Sequence, residues 1–402
     1  MSQRIVIVGA SLAGLRAAEN LRSMGHDGPL TLVGEERHRP YDRPPLSKQV
    51  LTGKTTAEGT SLGGDEALGA EWVLGTQAIG VDLDRRIVHL AGHEDLPFDG
   101  LVIATGAAPR LLPLAPPGPG VHYLRTLDDS LALRDELGAA RAVAVIGAGF
   151  IGLEVAVSAQ QLGVAVTVLE ALPVPLERAL GADVGRQVME WHRSKGLEIR
   201  AGAIIESIEG NDRPHAIRLA DGTEIAADTI VVGVGVAPAT EWLEDTGVDL
   251  HDGVRCDSRL RVLSGGRPVP GVVAAGDVAR WDHPGYGESV RVEHWTNATE
   301  AAETAARTLL ADLRDRPGQA LEFAPVPYFW SDQHGVKLQF VGRAAAGDET
   351  RLLEGSFDDD RLLIAYGRAG RLVGALGIRR PRHVMDLQRR MAGGDTPFPP
   401  EI

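Results

Sequence analysis

Cysteine is almost absent from this 402-residue chain, where Cys256 stands alone. A single thiol excludes an intrachain disulfide, a dithiol that relays electrons and a metal cluster held by several thiolates. Cys256 itself reads as a small, partly buried apolar residue. Aromatic side chains are scarce too, at 4%. The 49 glycines point instead to tight strand-to-helix turns. Net positive charge is lacking: the formal net charge of -14 excludes the electrostatic footprint of a nucleic-acid binder. No apolar run reads as a membrane span. The nearest, Ala142 to Ala159, is broken by Gly147, Gly149, Gly152 and Glu154, which suits a strand–turn–helix better than a bilayer. The apolar run Ile5 to Val8 is too short for a secretion signal, and no small-residue cleavage site comes after it. A cytoplasmic protein with no membrane or nucleic-acid partner is expected.

What the chain does contain is one pattern used twice. A short β-branched run leads into a glycine-rich turn and then a helical pattern, first at Arg4 to Gly14 continuing to Leu21, then at Ala142 to Gly152 continuing to Leu162. Each is followed by a second apolar strand ending in an acid, Leu30 to Glu35 and Val164 to Glu170. Each unit reads as βαβ, and hence as part of a parallel sheet. Two more strands end in glycine, at Leu101 to Gly106 and at Thr229 to Gly235. The Pro- and Gly-rich stretch Leu111 to Gly120 reads as a connection. Beyond a second break near Asp315 to Gly318, short alternating segments and the helical-looking Pro381 to Met391 suggest an antiparallel terminal domain. The expected fold is α/β, with two Rossmann-like dinucleotide-binding domains and a C-terminal α+β domain. The expected boundaries are 1–108 with 236–318, then 109–235, then 319–402.

The second turn carries the complete Gly-x-Gly-x-x-Gly pattern. Gly147 permits the tight turn, Gly149 lets a pyrophosphate approach the backbone, and Gly152 lets helix and strand pack closely. The phosphates then face a helix N-terminus. Glu170, about twenty residues on, would accept hydrogen bonds from both ribose hydroxyls. It would also repel a 2′-phosphate, and the next arginine is as far as Arg178, so NADH is expected over NADPH. The first turn keeps Gly9 and Gly14 but has Ser11 in place of the second glycine, with Glu35 as its ribose acid. Gly276-Asp277, at the end of the strand Val272 to Ala275, supplies a carboxylate that can take a hydrogen bond from a ribityl hydroxyl. That makes this nucleotide FAD.

These segments, with Arg39 to Lys48 (Arg-Pro-Tyr-Asp-Arg-Pro-Pro-Leu-Ser-Lys), Ala104-Thr-Gly106, Tyr123 to Asp128 and Phe329-Trp-Ser-Asp-Gln333, resemble the putidaredoxin-reductase and biphenyl-dioxygenase-ferredoxin-reductase type of flavoprotein. That type lies within the glutathione-reductase-like superfamily. The likeness spans nearly the whole chain in order. It implies FAD contacts at Ala13, Glu35, Arg43, Lys48, Ala78, Arg125, Asp277 and Trp295, beside the turn residues Gly9, Ser11 and Gly14. It implies NAD contacts at Gly147, Gly149, Gly152, Glu170 and Gly235, and no metal. Disulfide reductases of the superfamily carry a cysteine motif in the stretch around Lys48. Here Arg43 to Lys48 has none, so electrons must leave the flavin directly.

The expected reaction is hydride transfer from NADH to the flavin, with the protein positioning the two. Lys48, near flavin N5 if the resemblance holds, would stabilise negative charge on the reduced ring. Glu154, just inside the second nucleotide-binding helix, is its natural carboxylate partner. A helix over Asn297 to Leu310 would aim its N-terminal dipole at the other end of the ring. Trp330 is a candidate cover for the flavin edge, or only a packing residue. Arg379, Arg380, Arg382, Arg389 and Arg390 against Asp386 form a local basic patch suited to an acidic acceptor. The resemblance implies a [2Fe-2S] ferredoxin as acceptor, supplying a cytochrome P450 or a ring-hydroxylating oxygenase; a monomer or weak dimer is expected. A rubredoxin or quinone reductase, and a non-catalytic NADH sensor of apoptosis-inducing-factor type, are the alternatives.

Overall fold

The computed structural model describes residues 3–394 and 396–401; Met1, Ser2, Asp395 and Ile402, which the expected domain spans include, lie outside the described residues. The chain forms two compact units. The first is built from the chain up to Asp42, with Ser61–Ala108 and Ala237–Pro327. Its central strand, Ile5–Val8, is buried along its whole length, which is why four consecutive apolar residues are tolerated there. It pairs in parallel with Leu30–Gly34 on one side and Gly100–Ile103 on the other. Glu71–Leu74 and Arg267–Ala274 extend the parallel core at its two sides. Four further strands complete a nine-stranded sheet.

The helices Leu12–Ser23 and Trp295–Leu313 pack on one another against this sheet. The second presents Ala298, Ala301, Ala302, Ala305 and Ala306, all buried. Small side chains at that spacing let helix and sheet approach closely. This helix starts two residues before, and ends three residues after, the span expected from the sequence.

The second unit holds Arg43–Thr60, Pro109–Val236 and the chain from Tyr328 onward. Its parallel sheet runs in the order Glu198–Ala201, Ala165–Glu170, Ala142–Ile146, Thr229–Val232, Val121–Tyr123. The apolar run from Ala142 is thus the strand Ala142–Ile146, a turn, and the helix Phe150–Gln161. Among the described residues no helix is long and apolar enough to cross a membrane. A five-stranded antiparallel sheet comes next, in the order Tyr328–Gln333, Val336–Gly342, Arg371–Ile378, Arg361–Arg368, Glu349–Ser356. The helix Pro381–Ala392 closes it by burying Val384 and Leu387.

The segment Arg43–Thr60, expected from the sequence in the first domain, folds with the second unit. Ser130 Oγ donates to Leu46 O at 2.7 Å, Ser158 Oγ donates to Ser47 O at 2.7 Å, and Leu51 is buried in that core. Its short 3-10 helix Pro44–Ser47 begins on two prolines, whose fixed φ suits a helix start.

Candidate functional site

In the first unit, Gly9 stands at the carboxyl end of the central strand with φ +115°, and a Cβ there would lie 2.0 Å from Ala104 O. A Cβ on Gly14 would lie 1.8 Å from Gly9 O. Both glycines are therefore required by packing alone. Ser11 is different: it is the N-cap of Leu12–Ser23 in extended conformation, and its hydroxyl does not cap the helix. The corresponding Gly149 in the second unit has ordinary φ, and a Cβ there would come no nearer than 4.0 Å to any atom of the chain. The middle position of the second turn is thus not filled by the protein, and serine stands at the equivalent position of the first.

The other elements of the first cradle converge by topology. Arg267–Ala274 and Gly100–Ile103 are parallel neighbours in the sheet of the central strand, so the turns leaving both strands emerge at the same sheet edge. After the former comes Gly276-Asp277, and a Cβ on Gly276 would lie 3.0 Å from Ala13 Cβ. After the latter comes Thr105, whose hydroxyl donates to Ala239 O at 2.7 Å. Glu35 is exposed just beyond Leu30–Gly34. Ala78 is buried at the start of the strand Ala78–Asp82. Trp295 opens its helix, and its indole N–H donates to Asp42 at 2.8 Å. Before it, burial holds the His294 imidazole down to about 4, opposed by Asp277. Open backbone at a helix N-terminus, with a carboxylate across from it, fits a dinucleotide that carries a polyhydroxylated chain. Of the residues expected to hold FAD, Arg43, Lys48 and Arg125 belong to the second unit. There Arg43 donates to Arg125 O at 2.6 Å, and Arg125 N–H donates to Asp129 at 3.0 Å.

In the second unit Gly147 has φ +102°, with Gly233 O 2.3 Å from its would-be Cβ, and Gly152 is equally tight against Gly147 O at 2.2 Å. The helix Phe150–Gln161 begins directly at the turn with no side-chain cap, which leaves its first N–H groups for an anion. Glu170 closes the neighbouring strand. Its carboxylate accepts from Ala148 N–H at 2.7 Å and from Leu172 N–H at 2.9 Å, so it is held at the lip of the turn. Gly235 is exposed after the strand Thr229–Val232, with φ +98°. These residues fit a second dinucleotide, with a negative charge where an adenosine ribose would carry a 2′-phosphate.

The second unit also contains a dense polar cluster. Glu154, 5% exposed on the first turns of Phe150–Gln161, accepts from Lys48 Nζ at 2.8 Å and from the Ser47 hydroxyl at 2.5 Å on one oxygen. On the other oxygen it accepts from the Ser331 hydroxyl at 2.6 Å and from Asp332 N–H at 3.3 Å. Its carboxylate is therefore fully satisfied in a buried position. Behind it, Gln333 lies 2.9 Å from Ser331, His192 lies 2.9 Å from Gln333, and His334 lies 2.9 Å from His192. Burial, then the neighbouring His334, push the His192 imidazole down to about 3. Burial and Lys195 lower His334 to about 4. Ser47, Ser331 and Gln333 fall inside the Arg39–Lys48 and Phe329–Gln333 segments without a role being read for them there, and His192 and His334 are not singled out by the sequence. For His192 the one available signal is a histidine on the apolar face of the helix Ala182–Ser194.

The strand Tyr328–Gln333 separates two roles by its alternation. Ser331 and Gln333 are buried on one side, while Trp330 stacks on Tyr328 with ring centroids 6.0 Å apart and has Lys337 Nζ 5.3 Å from its ring. Trp330 itself lies within the strand and is half-buried. The basic patch is also altered. Arg379 and Arg382 are exposed, but Arg380 is buried and ion-paired with Glu354, which removes it from any docking set. Arg389 and Arg390 both reach Asp386, at 3.1 and 3.8 Å. Cys256 is fully buried, and burial drives its thiol far up, so it is inert.

Residues 3–302 match the family described as pyridine nucleotide-disulphide oxidoreductase, and residues 328–402 match the reductase C-terminal family. The chain is 36% identical to rhodocoxin reductase of Rhodococcus erythropolis, over 99% of this chain and 91% of that protein. It is 35% identical to the anthranilate 1,2-dioxygenase system ferredoxin–NAD(+) reductase component of Burkholderia cepacia, over 99% and 96%. The crystal structure of the covalent putidaredoxin reductase–putidaredoxin complex superposes with a TM-score of 0.89 at 32% identity, covering 96% of this chain and 92% of that one.

Proposed function

Because the chain belongs to the pyridine nucleotide-disulphide oxidoreductase family, it is an oxidoreductase that uses FAD and NAD(H), and we propose that it passes electrons from NADH to a [2Fe-2S] ferredoxin. That ferredoxin would supply a cytochrome P450 or a ring-hydroxylating oxygenase. The observation that carries this reading is end-to-end likeness to reductases whose names pair them with rhodocoxin, with putidaredoxin or with the ferredoxin of a dioxygenase system. The single buried thiol agrees with it, since no dithiol can stand between flavin and acceptor.

When bound, FAD supplies the chemistry of taking a hydride and releasing electrons singly. The chain's own residues bind and orient. We assign FAD to Gly9, Ser11, Ala13, Gly14, Glu35, Ala78, Asp277 and Trp295, with Arg43, Lys48 and Arg125. NAD(H) is assigned to Gly147, Gly149, Gly152, Glu170 and Gly235, in the domain 109–235. Lys48, fixed by Glu154, is the cation we assign to the charge gained on reduction. Arg379 and Arg382, exposed at the foot of the terminal helix, are the docking cations, and Trp330 is the electron-path candidate. The protein would act in the cytoplasm as a monomer or weak dimer.

Steady-state turnover with NADH and a choice of acceptors tests this. A [2Fe-2S] ferredoxin should be reduced faster than a rubredoxin or a small quinone, at a rate that falls with added salt. A quinone or rubredoxin preferred over every [2Fe-2S] protein, or a salt-independent rate, would contradict it.

A further inference from the structure

Glu154 is the end of a hydrogen-bond chain whose direction can be worked out from one charge. As the carboxylate partner of the Lys48 ammonium, Glu154 has no proton to give and is the acceptor at each of its contacts. The Ser331 hydroxyl, 2.6 Å from Oε1, spends its one proton there, and its oxygen must then accept. The Gln333 atom facing it at 2.9 Å is therefore the amide NH2, which fixes an amide orientation that geometry alone leaves open. The Gln333 carbonyl consequently faces His192 Nε2 at 2.9 Å, so Nε2 carries the proton. A neutral His192 then has a bare Nδ1, and that nitrogen accepts from His334 Nε2–H at 2.9 Å. Four successive donors, from His334 to Ser331, thus point one way.

We infer that this aligned chain, His334–His192–Gln333–Ser331, positions Glu154 and through it the Lys48 ammonium, making Gln333 and His192 positioning residues for flavin reduction. The inference rests on the reading that the Lys48–Glu154 pair serves the reaction. Aligned hydrogen bonds in a dry interior polarise one another, and His192 and Gln333 are buried, at 0% and 1% exposure. The segments joined are distant in sequence, with His192 and Gln333 separated by 141 positions and Glu154 and Ser331 by 177. The chain therefore ties the helix Ala182–Ser194 and the strand Tyr328–Gln333 to the helix that carries Glu154.

Histidine-selective 15N labelling of the full-length FAD-loaded protein, with His192 assigned through His192→Asn, reads the chain directly. At neutral pH His192 should be protonated at Nε2 and bare at Nδ1; an Nδ1–H tautomer or an imidazolium would overturn the inference. Flavin reduction by NADH should slow about tenfold in Ser331→Ala, which loses one bond to the Glu154 carboxylate, and should also slow in Gln333→Met, which leaves the Ser331 oxygen and His192 Nε2–H without that partner, with NADH affinity unchanged in both. A wild-type rate in Gln333→Met, which can neither donate to Ser331 nor accept from His192, would refute the directional chain. Lys48→Met is measured alongside. An unchanged rate there would sink the role given to the ion pair, whereas the His192 tautomer still decides the chain.

Discussion

Glu154→Leu and Lys48→Met each break the same ion pair, yet the two are expected to cost different amounts. The side chains are 6% and 12% exposed, so neither ion is well hydrated once alone. Removing Glu154 strips an acceptor from Lys48 Nζ, Ser47, Ser331 and Asp332 N–H together, which places it with buried pairs broken at one end, at about 3–5 kcal/mol. Removing Lys48 leaves Glu154 with its other three donors, so the loss is one charge-assisted bond, about 1.5–3 kcal/mol. Urea unfolding of the two variants and the parent, followed by circular dichroism with FAD present, measures both. If Lys48→Met proves as costly as Glu154→Leu, the three remaining donors do not hold the carboxylate, and the account of the cluster is wrong.

The two dinucleotide turns separate packing glycines from binding ones. Gly149→Ala should leave stability within about 0.5 kcal/mol while weakening NAD(H) binding, whereas Gly152→Ala, whose Cβ would lie 2.2 Å from Gly147 O, should destabilise the fold; thermal melts and NADH titrations of both check this. Glu170→Ala should raise catalytic efficiency with NADPH relative to NADH without lowering flavin content, and unchanged discrimination would remove the role given to that carboxylate. Acid should weaken the fold through His192: with its folded value near 3 and an unfolded value near 6.5, the unfolded chain binds the extra proton between them. Stability is then fully present above about pH 6.5 and falls as pH drops towards 3, by about 1.4 kcal/mol per unit at most from this group. His192→Asn should flatten that slope in pH-dependent urea unfolding.

The two βαβ cradles were legible because their signal is local. Gly14 and Gly152 are dictated by the carbonyl of the turn glycine five residues before each, so fixed spacing suffices, while Gly9 and Gly147 hold positive φ in the turn and also meet the ends of distant strands at Ala104 and Gly233. Ser11 broke the pattern at the one turn position that packing does not fix, since a Cβ on the equivalent Gly149 would meet nothing nearer than 4.0 Å. The joining of His192 and His334 to Gln333 was illegible for the opposite reason. They meet only when Arg43–Thr60, the helix Ala182–Ser194 and the strand Tyr328–Gln333 pack together, and no spacing encodes that. Arg380 misled for a related cause: a run of arginines reads as one exposed face, but the residue that caps the helix Pro381–Ala392 turns inward to Glu354.

Stopped-flow mixing of the oxidised FAD-loaded protein with NADH, then with an oxidised [2Fe-2S] ferredoxin, separates a reductase from a sensor. The flavin band should bleach rapidly with NADH and then recover rapidly as the ferredoxin is reduced. A long-lived charge-transfer complex that the ferredoxin reoxidises only sluggishly would contradict electron transfer to a ferredoxin, and would mark an NADH-sensing flavoprotein instead of a reductase.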